Sequence, residues 1–195
     1  MGVRRALLGV LIVLLAGCST GGQASPADPP TTPQASPTTV SLPPRPRDIP
    51  IDGVDPCSLL TPEQRVGLRL DRPPQPRREP SLLYPGEVSW CSIRGNEPAI
   101  SISISTVTTA GIEFWTSGQA AGELRPAEIA EFPALVARSQ VLDDGCKVLL
   151  DVAPGQLLDV QARSAGADPP IPEDQLCRDA ERAADLVMDT LLSQH

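Results

Sequence analysis

Histidine, lysine and aromatic side chains are nearly missing from this chain of 195 residues. The single histidine is the last residue, His195, where chain ends usually fray. Serine–histidine triads and histidine-based metal sites are therefore strongly disfavoured, and no metal or cofactor is expected. The single lysine, Lys147, stands against 15 arginines. It follows Cys146 in a strand-like run with no S-x-x-K pattern, so it reads as a surface lysine rather than half of a serine–lysine dyad. Tyr84, Trp90, Phe114, Trp115 and Phe132 are all the aromatics there are, 3% of the chain, and offer few anchors from which to read a pocket. P-loop and G-x-G-x-x-G patterns are absent. The longest apolar run, Ala6 to Ala16, has eleven residues, against roughly 20 for a membrane-spanning helix. A transmembrane helix is not expected.

What is there begins at the N-terminus. Residues 1–17 place Arg4 and Arg5 ahead of that apolar run and close on small residues, the order of a secretory signal peptide. Leu15-Ala16-Gly17-Cys18 resembles the lipobox of bacterial lipoproteins, in which the cysteine receives a diacylglyceryl group and becomes the mature N-terminus. Two acyl chains hold a protein to a membrane where one does so only marginally. The other reading is a signal peptide cut nearby, with Cys18 a chance residue. Residues 18–50 follow as a lipidated cysteine and tether, crowded with Pro, Ser, Thr, Gly and Ala. Nine of the chain's 23 prolines fall between residues 19 and 50. Such a segment cannot build a core. In extended polyproline II form, at about 3.1 Å per residue, it would reach roughly 100 Å. Ser36-Pro37-Thr38-Thr39 could carry O-glycans, though a plain solvated linker accounts for it as well.

A single globular domain is expected over residues 51–195. Without residues 1–17 the chain holds 14 basic and 24 acidic residues, a net charge of −10, which argues against nucleic acid as a partner. With Cys18 set aside, Cys57, Cys91, Cys146 and Cys177 remain. An even count without C-x-x-C spacing in an exported chain reads as two structural disulfides. Three pairings are open. Cys57–Cys91 with Cys146–Cys177 is favoured, because each would tie a strand to a neighbouring helix. A metal or redox site fits poorly, since zinc sites usually need closely spaced ligand pairs.

The lipobox, the proline-rich tether, Asp55-Pro56-Cys57-Ser58-Leu59-Leu60-Thr61, a later Trp90-Cys91 and a cysteine near the start of an alanine-rich C-terminal helix together resemble the actinobacterial lipoproteins grouped as domain of unknown function 3558. The most specific piece is DPCSLLTPEQ, residues 55–64. The proline-rich RLDRPPQPRREP, residues 69–80, departs from the pattern as an insertion. The resemblance implies an exported, lipid-anchored, disulfide-bonded domain without an established activity.

Local patterns predict an α+β domain: an antiparallel sheet of about five strands packed against a C-terminal helix and a short N-terminal helix. Thr61, Pro62 and Gln64 form a capping-box signature for the short helix, which should end before Pro73. Residues 87–95 and 99–107 read as strands joined at Gly95-Asn96-Glu97-Pro98. In the second of these, isoleucines 100, 102 and 104 alternate with serines 101, 103 and 105, so the sheet should have one wet face. Residues 146–163 read as a hairpin about Pro154-Gly155, with residues 134–142 as a fifth strand. From Glu173 to about Leu192, apolar residues recur at helical spacing.

Few residues stand out as functional. Phe114-Trp115, between Gly111 and Gly118, could line an apolar pocket or could be core. Trp90, beside Cys91, reads as core. Arg77 and Arg78 belong to a basic cluster with Arg65, Arg69 and Arg72 that could meet anionic envelope polymers or lipid headgroups, or could be a solvated surface interleaved with acids. Asp143, Asp144 and Asp151 could supply a carboxylate pair, although Asp143-Asp144-Gly145 also suits a turn. The expectation is a non-enzymatic binding or interaction module, lipid-anchored at the extracytoplasmic face of the cell membrane, with an envelope lipid, glycan or protein as partner. The alternative is a carboxylate-dependent hydrolase of envelope glycans.

Overall fold

The hydrophobic alternation of the middle of the chain builds a seven-stranded, wholly antiparallel sheet in the order β1-β2-β3-β7-β6-β5-β4. The computed structural model describes residues 40–117, 123–138 and 145–195. The strands are β1 (Gln75–Pro80), β2 (Glu87–Asn96), β3 (Ala99–Val107), β4 (Glu123–Ile129), β5 (Phe132–Arg138), β6 (Gly145–Ala153) and β7 (Gln156–Ser164). The helices are α1 (Pro62–Gly67), the single turn α2 (Glu113–Thr116) and α3 (Glu173–Ser193), with a 3-10 turn at Pro56–Leu59.

Five expected strands become seven, and the two additions are the sheet's edges. Neither carries the apolar alternation by which β2, β3, β6 and β7 announce themselves. β1 is exposed along its whole length and β4 along most of it. Both contain proline: Pro76 and Pro80 in β1, Pro126 in β4. Proline removes a ladder donor and is tolerated where no further strand needs it. Residues 69–80, read above as an insertion, thus include an edge strand. The fifth expected strand is β5, and residues 139–142 of that reading lie outside the described residues.

One face of the sheet is covered by α3. Its buried stripe runs through Leu176, Cys177, Ala180, Ala183, Ala184, Val187, Met188 and Leu191, and it lies mainly on β6 and β7. Three alanines at the centre let the helix approach Val148, Leu158, Val160 and Ala162 in one core. Cys146–Cys177 joins this helix to β6, and Cys57–Cys91 joins the 3-10 turn to β2. Of the three pairing schemes open in the sequence, this is the favoured one.

The segment from Asp55 to Gln64 forms one structural block. Asp55 accepts a hydrogen bond from the Cys57 amide at 2.9 Å, Pro56 opens the 3-10 turn, and Leu59 and Leu60 are buried. Thr61 and Gln64 complete the capping box. Gln64 goes further: its Oε1 accepts from Thr190 Oγ1 at 3.0 Å and its Nε2 donates to the Leu186 carbonyl at 3.1 Å, fixing α1 to α3. The C-terminus of α1 closes with the Leu70 amide donating to the Arg65 carbonyl and the Arg69 amide to Val66, the paired bonds of a Schellman motif. Arg69 occupies the left-handed position, at φ 59°, where glycine is usual. The glycine of this region is instead Gly95, where a Cβ would fall 2.1 Å from the Arg69 carbonyl oxygen. The β2–β3 hairpin therefore passes directly under the end of α1.

The docked chain also starts earlier than residue 51. The Ile49 amide donates to the Val152 carbonyl at 2.7 Å, Ile49 is buried, and Arg45 Nη1 donates to both Asp151 oxygens at 2.7 and 2.9 Å. Residues 40–50, assigned above to the tether, are thus packed on the domain. The proposed signal peptide, Cys18 and the tether to residue 39 lie outside the described residues. Among the described residues, no helix is long and apolar enough to cross a membrane.

Two stability measurements follow. Arg69→Gly relieves a left-handed non-glycine residue and should raise the urea midpoint by the equivalent of about 0.5 to 1 kcal/mol; a lower midpoint would show that the Arg69 side chain contributes more than its backbone costs. Replacing Cys146 and Cys177 together by alanine should lower stability by about 3 to 4 kcal/mol, the loop-closure value for a separation near 30 residues. An unchanged midpoint would show that α3 stays docked without its covalent link.

Candidate functional site

The second face of the sheet is divided along the strand direction. One end is apolar and covered: Val88, Val107, Leu157, Leu149 and Leu135 are buried with Tyr84 and Trp115, and Val40, Leu42, Ile112 and Phe114 pack against them. The other end is polar and open. Register sets its rows: Trp90 opposite Ser105 and Ser105 opposite Asp159; Ser92, Ser103, Gln161 and Lys147 in the next row; Arg94, Ser101 and Arg163 in the third. The small serines of β3 form a floor between taller side chains on β2 and on β7 and β6. The result is a groove of about 480 Å³, bounded at its upper lip by Leu82 and Leu83 of the β1–β2 connection.

Charge within the groove is organised around Asp159, which is 3% exposed. Its Oδ2 accepts from Lys147 Nζ at 2.6 Å and from Tyr84 Oη at 2.9 Å, and Tyr84 Oη in turn accepts from Trp115 Nε1 at 3.2 Å. Burial, and then the neighbouring Asp159 carboxylate, push the Tyr84 phenol far above its usual range, so the phenol keeps its proton and acts as a donor. A buried carboxylate needs such partners to offset lost hydration. Lys147 is therefore the half-buried counter-ion of an internal carboxylate rather than a plain surface lysine. Ser103 stands two strands away across Gln161, roughly 10 Å between backbones at ordinary strand spacing.

Sequence reasoning missed Tyr84 and Asp159, since a lone tyrosine in a loop and an aspartate inside QLLDVQAR carry no motif. The one signal was the charged residue itself, placed in a run otherwise apolar on both faces. Trp90, read as core, lies on the polar face, where its Nε1 donates to Glu79 Oε1 at 3.1 Å. Cys91 takes the core position one residue on. Trp115, offered above as a pocket-lining residue, is 4% exposed and tied to Tyr84, and Phe114 packs on Tyr84 at 5.6 Å between ring centroids. The pair plugs the apolar end of the face instead of presenting a surface.

Arg77 and Arg78 sit on edge strand β1, opposite Trp90 and Ser89. Both reach a second groove, of about 540 Å³, whose far side is formed by Asp52, Asp55 and Pro56. Arg78 pairs with Glu87 at 3.1 Å with both side chains exposed, a contact of little energetic weight. Asp151 is occupied by Arg45, and its carboxyl is raised by burial against the pull of that arginine. Asp143, Asp144 and Gly118 lie outside the described residues. Among the described residues, histidine, cysteine and carboxylate side chains form no cluster fit to hold a metal ion.

The fold and groove define a disulfide-bonded α+β domain with one helix-covered sheet face and a second face that is covered at one end and polar and open at the other. The chain belongs to the family described as protein of unknown function (DUF3558), whose model matches residues 13–190. No curated protein and no solved structure matches it.

The relay through Asp159 can be tested by stability. Lys147→Met strips a buried carboxylate of a charged donor and should cost about 1.5 to 3 kcal/mol, and Tyr84→Phe, which also orphans Trp115 Nε1, about 1 to 3 kcal/mol. Wild-type urea midpoints in both variants would mean that solvent replaces these partners without loss.

Proposed function

We propose that the chain is an exported lipoprotein, anchored at the extracytoplasmic face of the cell membrane through Cys18, whose domain binds a ligand or partner rather than catalysing a reaction. The observation that carries the binding reading is the serine-floored groove on the open sheet face. It has the volume of a small-ligand site, and its carboxylates and its lysine are already engaged. Lys147 is committed to Asp159, and both acids lining the groove, Glu79 and Asp159, already accept hydrogen bonds. Asp151, the described member of the carboxylates considered for glycan hydrolysis, gives both oxygens to Arg45.

Export and anchoring are supported by the charged, apolar and small-residue order of residues 1–17, by the lipobox-like Leu15-Ala16-Gly17-Cys18, and by two disulfides, which persist in oxidising compartments. An envelope lipid, a glycan or a protein could occupy the open face. The acidic balance of the chain disfavours nucleic acid.

Two experiments test this reading. Native mass spectrometry of the mature protein, extracted gently from its own envelope and compared with the denatured sample, should reveal a non-covalent adduct. A bare domain that turns over cell-wall fragments would replace the binding reading with an enzymatic one. Cys18→Ala should abolish the diacylglyceryl mass increment and release the protein from membranes, whereas a variant that still partitions with membranes in mature form would overturn the anchor.

A further inference from the structure

The groove on the open face changes character along its length. At one end its wall is the β1–β2 connection, where Leu82 is fully exposed and Leu83 is 38% exposed, above the buried Val88 and Tyr84. Two adjacent leucines offered to solvent at a groove lip are costly to leave bare and gain by being covered. At the other end lie Ser101, Ser103 and the exposed guanidinium of Arg94, which has no acidic partner among the described residues. Six residues of β2 separate the Val88 row from the Arg94 row, about 20 Å at strand rise. Lys147 Nζ lies between these ends. On a chain of net charge −8, Arg94 is an exposed cation in this groove, while the two acids among its described lining residues, Asp159 and Glu79, already accept hydrogen bonds from Lys147 and Trp90.

We infer that the groove takes an anionic amphiphile, with its charged head on Ser101 and Ser103 beside Arg94 and its apolar part under Leu82 and Leu83. The inference rests on the binding reading above and names its ligand class. Charge selects the head: a guanidinium with free donors over a floor of hydroxyls suits phosphate or carboxylate oxygens. The apolar lip selects against a bare ion. Trp90, whose ring borders the groove between the two ends, should report occupancy, while Trp115 is buried beneath the covered end.

The test uses the full-length mature chain and lysophosphatidylglycerol below its micelle-forming concentration, with intrinsic tryptophan fluorescence as readout and Trp90→Phe to assign the signal. A saturable shift lost in Trp90→Phe is expected. Glycerol phosphate, the head alone, and lysophosphatidylcholine, with a neutral head, should each bind at least about tenfold more weakly, and Arg94→Glu should weaken binding about tenfold. Leu82→Asp should weaken it about tenfold, as loss of one buried leucine implies; because Leu82 is exposed in the free protein, this variant should fold as the wild type does. Equal binding of glycerol phosphate would make the groove a simple anion site and overturn the amphiphile. Equal binding of the neutral-headed lipid, or no saturable binding, would overturn the assignment too. An adduct of another chemical class in native mass spectrometry would then leave the binding reading standing without this ligand.

Discussion

One helix cannot cover both faces of a seven-stranded sheet, and the rest of the molecule is arranged around that shortage. The α3 helix takes the centre of one face, where alanines allow close approach, and the disulfide to Cys146 holds it there. The β1–β3 side of that face is covered by the short block from Asp55 to Gln64, itself fastened by Cys57–Cys91 and by Gln64 reaching α3. Among the described residues, no helix of comparable length is left for the second face. The chain closes half of it with pieces: residues 40–42, Tyr84 and the single turn carrying Phe114 and Trp115. The other half stays wet, and the serines of β3 are what make a wet sheet face tolerable.

Where the covered and wet halves meet, the structure places Asp159, the more deeply buried of two buried carboxylates among the described residues. Asp159 could not sit under the plug without donors, and it draws them from both sides: a phenol from the apolar half and an ammonium from the polar half. The boundary between plug and groove is thus a hydrogen-bonded seam as well as a change of polarity. It also explains why the chain's single lysine lies inside a sheet. An ammonium on a flexible stem can lean across a strand to reach its partner while its apolar portion packs on the sheet surface.

Much of the buried half of the molecule was legible in the sequence, because burial imposes periodicity. The isoleucine–serine alternation of β3, the hairpin about Pro154-Gly155, the stripe of α3 and the capping box of α1 each depend on local spacing alone, and each lies where spacing put it. The edge strands were not legible, since an edge strand need bury neither face and can carry prolines that argue against a strand. The candidate site was the least legible part. Trp90 leaves the core expected for it and Trp115 takes the buried one of its two readings, because which of two tryptophans is buried depends on what packs over the second face. That covering comes from segments distant in sequence. The partnership of Tyr84, Lys147 and Asp159 spans 75 residues and follows from strand order, which no local pattern encodes.

The prolines at the two rims of the sheet have a further meaning. A long antiparallel sheet ends in two rows of unpaired backbone groups, and each row is a template on which another copy could add a strand. Here one rim carries Pro76, Pro80 and two adjacent arginines, and the other carries Pro126 between Arg125 and Glu128. Missing donors and exposed charge blunt both templates. Copies of this domain brought together at high local concentration should therefore meet as separate bodies and resist edge-to-edge aggregation.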